Sequence, residues 1–190
     1  MDFSEVLDFW FGVPSSGERG RARAQWFRKN PEFDAEIRRR FGAIHESVST
    51  GGCSAWEATP YGALALVIIL DQFSRNMYRD SPRSFAADAA GLRVARGMIG
   101  RGFDRLLRPI ERCFTYLPFE HSEELAVQRQ SLALFEGLRF STDCLGNIDY
   151  AYRHYDIIAR FGRFPHRNVV LGRVSTPEEV AFLRQPGSGF

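Results

Sequence analysis

The chain has 190 residues, 44% of them hydrophobic and 14% aromatic, which supports a packed core and excludes a disordered chain. Its formal charge is only +2, against the large basic excess of a dedicated nucleic-acid binder. Three scattered cysteines without a CxxC, an acidic start unlike a signal peptide and no apolar run beyond Ala63 to Leu70 fit one soluble, cytoplasmic domain over residues 1–190, with neither a disulfide framework nor a membrane span.

Helix-start signals recur along the chain. Asp2 with Glu5 predicts a capping box for a first helix that ends near Gly12, with Phe3, Val6, Leu7, Trp10 and Phe11 as its core face. Asn30-Pro31, Thr59-Pro60, Ser81-Pro82 and Thr176-Pro177 each set a capping side chain before a proline suited to the first helical position. Three- and four-residue apolar spacing follows Pro31 (Phe33, Ile37, Phe41, Ile44, Val48) and Pro82 (Phe85, Ala89, Leu92, Ala95, Ile99). Ser122 is expected to cap a helix running towards Leu138, and another helix spans about Ile148 to Phe161, ended by Gly162. "RNVVLG" is too short and solitary to read as a strand. The fold class expected is all-α: about seven or eight helices packed as antiparallel hairpins.

Chemistry concentrates in three stretches. The third helix begins as "YGALALVIIL", apolar on every side and so buried all round, then turns to "DQFSRNMYRD". Asp71, Arg75 and Arg79 share one stripe there, with Gln72 and Asn76 beside it. Such a helix end either emerges into solvent as an exposed ion pair or lines a polar cavity. Phe73, Met77 and Tyr78 between the polar residues favour the cavity.

In the second stretch, "TYLPFEHSEELAVQ", Pro118 is expected to restart the chain direction and Glu120 to Glu124 to crowd a helix N-terminus. Acidic residues suit that position; His121 does not follow from it. Beside carboxylates it can serve as an acid/base group or a ligand anchor, or simply pack on Phe119. Metal-ligand spacing is absent: His121 and Glu124 stand at i, i+3 without a second such unit, and no HExxH occurs. No metal is therefore assigned, and no cofactor is named by the sequence.

The third stretch is "FGRFPHRNVVLGR". Tyr150, Tyr152, His154 and Tyr155 on the helix before it read as core or pocket wall. After Gly162 come Arg163, His166, Arg167 and Asn168, then Arg173 behind a second glycine. Arginine forks hold carboxylates and phosphates. A solvated basic loop is the alternative, but Phe161, Phe164, Val169, Val170 and Leu171 alternate with the charges and tuck the loop against the domain.

With "LDFWFG", "WFRKNPEFDAEI", "LVIILDQFSRNMYR", "FAADAAGLRVA", "YLPFEHSEELAVQ" and "FGRFPHRNVVLGRVSTPEE", the chain resembles, from about Val6 to Phe182, domain of unknown function family 924. The resemblance implies an all-α, tetratricopeptide-like array with a concave face and carries no established activity. Its characteristic polar positions match Asp71, Gln72, Arg75, Asn76, Arg79, Glu120, His121, Ser122, Glu123, Arg163, His166, Arg167, Asn168 and Arg173. Ser74 stands where the motif has proline and Phe119 where leucine is common.

The functional expectation is a pocket for a small anionic molecule. Asp71, Glu120 and His121 are its candidate catalytic group, and Gln72, Arg75, Asn76, Arg79, Arg163, His166, Arg167, Asn168 and Arg173 its candidate ligand contacts. The alternative is a helical scaffold that clamps the carboxylate of a peptide or protein partner through Arg75, Asn76, Arg79, Arg167 and Asn168. Neither nucleic acid nor membrane is an expected partner.

Overall fold

Capping side chains set most of the helix starts. In the computed structural model, which describes residues 1–189, α1 (Phe3–Phe11) opens with Asp2 N–H donating to Glu5 Oε1 at 3.1 Å. Asn30 Oδ1 accepts from the N–H groups of Glu32 and Phe33 at the start of α2 (Pro31–Ser49). Thr59 Oγ1 does the same for Gly62 N–H at the start of α3, which spans residues 60–77. In the last two the next residue is proline, whose missing N–H costs nothing at the first position. The remaining helices are α4 (Asp88–Gly100), α5 (Pro109–Glu120), α6 (Leu125–Glu136), α7 (Leu145–Phe161) and α8 (Pro177–Leu183). The described residues are all-helical and contain no strand.

Three boundaries differ from the sequence reading. Ser81-Pro82 opens a single 3₁₀ turn, Pro82–Ser84, because Ser81 caps Arg83 while Ser84 Oγ donates back to Ser81 O; α4 starts at Asp88 instead. Pro118 restarts nothing. It sits in the last turn of α5, where only one helical hydrogen bond is forfeited, so Glu120 ends a helix and His121 is its C-cap. Ser122 accepts from Glu124 N–H in a local turn, and Glu124 is the N-cap of α6.

The core sits around α3. Every residue from Ala63 to Leu70 is buried, and α1, α2, α4 and α5 all pack on this helix. Trp10 from α1 meets Phe73 and Phe114 edge-on with ring centroids 5.6 Å away in each case, and Phe41 from α2 lies 4.8 Å from Phe73. Each such ring taken out of water contributes about 1.5–3 kcal/mol. Helices α5, α6 and α7 then follow one another in contact. A second apolar cluster joins Ile157 and Ile158 of α7 to Phe164, with Leu125, Phe161 and Phe182 around it. That cluster fastens the loop after Gly162, whose left-handed φ of 68° ends α7, against the helices. Tyr150 and Tyr152, read above as core or pocket wall, are about half exposed, while His154 on the same helix is buried. No described helix is long and apolar enough to cross a membrane.

Candidate functional site

The site begins with an irregularity in α3. The helix is α-helical from Pro60 to Val67, widens to a π-helical stretch from Ile68 to Phe73, and returns to α-helix over Ser74–Met77. π-Helical segments are rare and cluster at functional sites. Here two side chains serve the widened ladder: Ser74 Oγ donates to Leu70 O at 2.6 Å, and Arg75 Nη1 to Asp71 O at 2.9 Å. Ser74 also accepts from His45 Nε2 at 2.8 Å, since its one hydrogen is already used on Leu70.

Asp71, in the middle of this stretch, is completely enclosed. Its Oδ1 accepts from His121 Nδ1 at 2.7 Å and lies 3.1 Å from Arg75 Nη1; its Oδ2 accepts from Gln72 Nε2 at 2.6 Å. Burial alone would raise its pKa, but the charge of Arg75 and the hydrogen bonds from His121 and Gln72 hold it well below the ordinary carboxylate range. An ionised Asp71 can only accept, so His121 carries its proton on Nδ1 and Nε2 keeps the lone pair. Burial, then Arg75, lowers the His121 pKa and leaves the ring neutral at pH 7.

The end of α5 places His121. Gln128 of α6 donates to Glu120 O at 2.6 Å and to Ser122 O at 2.7 Å, which fixes the turn. Glu120 points at α7: its Oε1 is 3.2 Å from His154 Nδ1, which also donates to Tyr150 O at 2.8 Å. Glu120 Oε2 is buried without a hydrogen-bond partner. Burial, with the Asp71 charge added, pushes Glu120 well above the usual carboxylate range. Burial and the neighbouring His121 take His154 down to about 2. The rings of His121 and His154 stand 6.1 Å apart. One ligand-type atom from each of Glu120, His121 and His154 lies within 4.8 Å of the other two.

Two arginines complete the cluster. Arg75 makes a forked pair with Asp88, the first residue of α4, at 2.9 and 3.1 Å. Arg167 is sandwiched between Phe85 and Phe164, 4.6 and 4.5 Å from the ring centres. It donates to His121 O at 3.0 Å and reaches Asp88 at 3.4 Å, while its Nε–H is buried without an acceptor. Burial and the charge of Arg75 bring its pKa down to about 10. His166 packs beside Phe164, its pKa lowered to about 4 by burial and by Arg167.

The structure therefore brings Asp71, Gln72, Arg75, Glu120, His121, His166 and Arg167 together. The other expected contacts go elsewhere. Asn76 and Arg79 both bond Asp34 of α2, at 2.7 and 3.0 Å. Arg163 forks onto Glu179 of α8, which also receives Asn168. Arg173 forks onto Glu123, whose Oε1 takes the Phe164 N–H as well. These ion pairs fasten α3 to α2 and the loop to α8 and the α5–α6 turn. Surface hollows of about 460 and 260 Å³ lie beside Arg163 and beside His45, Tyr78 and Arg83; neither is lined by Asp71 or His121. Asp88 was not expected in the site, and His154 was read as core or pocket wall rather than as a site residue. His154 carried a signal: it shares the apolar stripe of α7 with Ala151 and Ile158, a place where a polar ring needs a reason.

These observations define an all-helical protein that encloses a carboxylate–histidine pair, a second histidine with its glutamate and two arginines between helices and one basic loop. The chain belongs to the family described as a bacterial protein of unknown function, DUF924, whose model matches residues 6–187. Among solved structures it is similar to a protein of unknown function, ATU0120, from Agrobacterium tumefaciens, with 34% identity, 96% of each chain covered and a TM-score of 0.85. No curated protein matches the chain.

Proposed function

We propose that the cluster around Arg167 and His121 binds a small anionic molecule, and that the Asp71–His121 pair exchanges a proton with it. The observation that carries this reading is the Arg167 Nε–H: the residue is 6% exposed and that donor has no acceptor in the protein. A buried donor left unmade costs about 1–3 kcal/mol. A carboxylate or phosphate oxygen would satisfy it and meet a charge that Asp88, at 3.4 Å, only partly balances. The side chains of His121 and Arg75 keep 13% and 20% of their surface exposed, so the cluster is open along one edge. A neutral imidazole oriented by a carboxylate suits proton transfer.

The scaffold alternative, a tetratricopeptide-like array clamping a peptide carboxylate, draws less support. Asn76 and Arg79 are engaged by Asp34, Asn168 by Ser175 and Glu179, and Arg75 by Asp71 and Asp88, leaving Arg167 of the five proposed clamp residues.

A thermal-shift titration with inorganic phosphate and with mono- and dicarboxylates tests the reading. One of these anions is expected to raise the melting temperature, with about 2.7 kcal/mol of stabilisation at a hundredfold excess over its Kd. Arg167→Lys, which keeps the charge and removes the Nε donor, is expected to weaken that response at least tenfold. The same shift in folded Arg167→Lys, or no shift with any anion, would overturn it.

A further inference from the structure

We infer that Glu120, His121 and His154 form a binding site for one divalent transition-metal cation, of the Zn²⁺ or Mn²⁺ type. Two imidazoles and one carboxylate are a recurrent ligand set for catalytic zinc and for other first-row metals, leaving coordination positions open to a small molecule. Glu120 and His121 come from the C-terminal end of α5 and His154 from the middle of α7, and their ligand-type atoms already lie within 4.8 Å of one another. Metal–ligand distances of about 2.1 Å bring ligand atoms to within about 4.2 Å, so the side chains would draw in by roughly half an ångström or more.

The surroundings fit a metal in two independent ways. First, each histidine is held through Nδ1: His121 by the Asp71 carboxylate at 2.7 Å, His154 by the Tyr150 carbonyl at 2.8 Å with Glu120 Oε1 3.2 Å from the same nitrogen, so a metal would take Nε2 of both rings and the unpartnered Oε2 of Glu120. Such outer hydrogen bonds fix ring orientation and tautomer in metal-ligating histidines. Second, Glu120 is 3% exposed and its Oε2 has no hydrogen-bond partner, although a buried carboxylate oxygen demands one. Asp71 and Asp88 already face two guanidiniums, Arg75 and Arg167, and Glu123 is matched by Arg173. A cation held by Glu120 would stand beside Arg167 as a second positive centre for an anion. The metal site does not depend on anion binding at Arg167, but a cation on His121 Nε2 takes the lone pair that proton exchange needs, so that exchange belongs to the metal-free protein.

The test uses the full chain, stripped with a chelator and titrated with ZnCl₂, MnCl₂ and CoCl₂ in phosphate-free buffer. Calorimetry is expected to show one equivalent bound by at least one of these cations. Cobalt is expected to give visible d–d absorption bands from nitrogen and oxygen ligands. Glu120→Gln, of the same shape, and His154→Gln should each weaken binding at least 100-fold, and Asp71→Asn, acting through His121, by roughly 10–100-fold. Cys53→Ser should leave it within twofold. If His154→Gln does not fold, Glu120→Gln decides. The inference fails if the folded wild type binds no equivalent, if Glu120→Gln binds as tightly as wild type, or if Cys53→Ser abolishes binding. Phosphate titration of the stripped protein examines the anion reading separately, so either can fail alone.

Discussion

Removing the Arg75 guanidinium would strand two carboxylates, since Asp71 and Asp88 both depend on it. Breaking a buried pair from one side costs about 3–5 kcal/mol, so Arg75→Ala should lower the urea midpoint strongly, and Arg75→Ala with Asp88→Asn by less than the sum of the two. A midpoint unchanged in Arg75→Ala would show that water reaches these carboxylates freely. Ser74 makes a smaller case of the same kind. Its hydroxyl takes the His45 Nε2–H, and His45 Nδ1 already lacks a partner. Ser74→Ala should cost about 1–3 kcal/mol in the same assay, and His45→Phe in that background should recover part of it. At this scale the sequence identified residue types well but not partners. The spacing of Asp71 and Arg75 marked a pair, and the pair is there. Arg79, four residues further on, turns instead to Asp34, 45 positions away, and no local pattern encodes that choice.

Helix starts were the most legible elements, because a capping side chain and a proline act within four residues of each other. Asn30, Thr59 and Thr176 all cap as expected. Ser81 caps too, but only a 3₁₀ turn: the same local chemistry can close on itself before a helix propagates. Helix α8 shows what a cap can carry. Glu179 Oε2 accepts from Thr176 N–H at 2.8 Å and from Asn168, while Arg163 forks onto both oxygens. The Arg163 bonds, with the Thr176 N–H, lower the Glu179 pKa from an ordinary 4.5 to about 2. A depressed folded-state pKa stabilises fully above the ordinary value and is lost as pH falls through the folded one. Glu179→Gln should therefore melt below wild type at pH 7, and the gap should close between pH 4.5 and about pH 2. A gap that stays constant across that window would remove the carboxylate's charge from the explanation.

Across the whole molecule, the cluster is assembled from long-range contacts. Asp71 and His121 are 50 residues apart, Arg167 and His121 46, Arg167 and Asp88 79. The sequence showed that three stretches were unusually polar for their apolar settings; that Asp71, His121 and Arg167 meet while Arg163 and Arg173 do not depends on how the helices pack. Glu123 is the tie that holds the basic loop in place, through Phe164 N–H and both ends of the Arg173 fork. Glu123→Ala should speed amide exchange selectively over residues 162–176, with the α3 core still protected. Equal exchange in mutant and wild type would mean that the cluster around Phe164 holds the loop by itself.

The widened stretch of α3 has a consequence for how this chain tolerates changes in length. A π turn takes up one residue more than the α-helical ladder needs, so residues 68–73 absorb that residue while the apolar half of the helix and its charged tail keep nearly the phase of an uninterrupted helix. Deleting Ile69 would let the backbone close into α-helix with Ser74, Arg75 and Asn76 still directed at His45, Asp88 and Asp34. Inserting one alanine between Gly62 and Ala63, where no bulge can absorb it, would instead turn that tail by about 100° about the helix axis. The shortened chain should therefore unfold cooperatively, and the lengthened one should keep its helical circular dichroism yet lose cooperative unfolding.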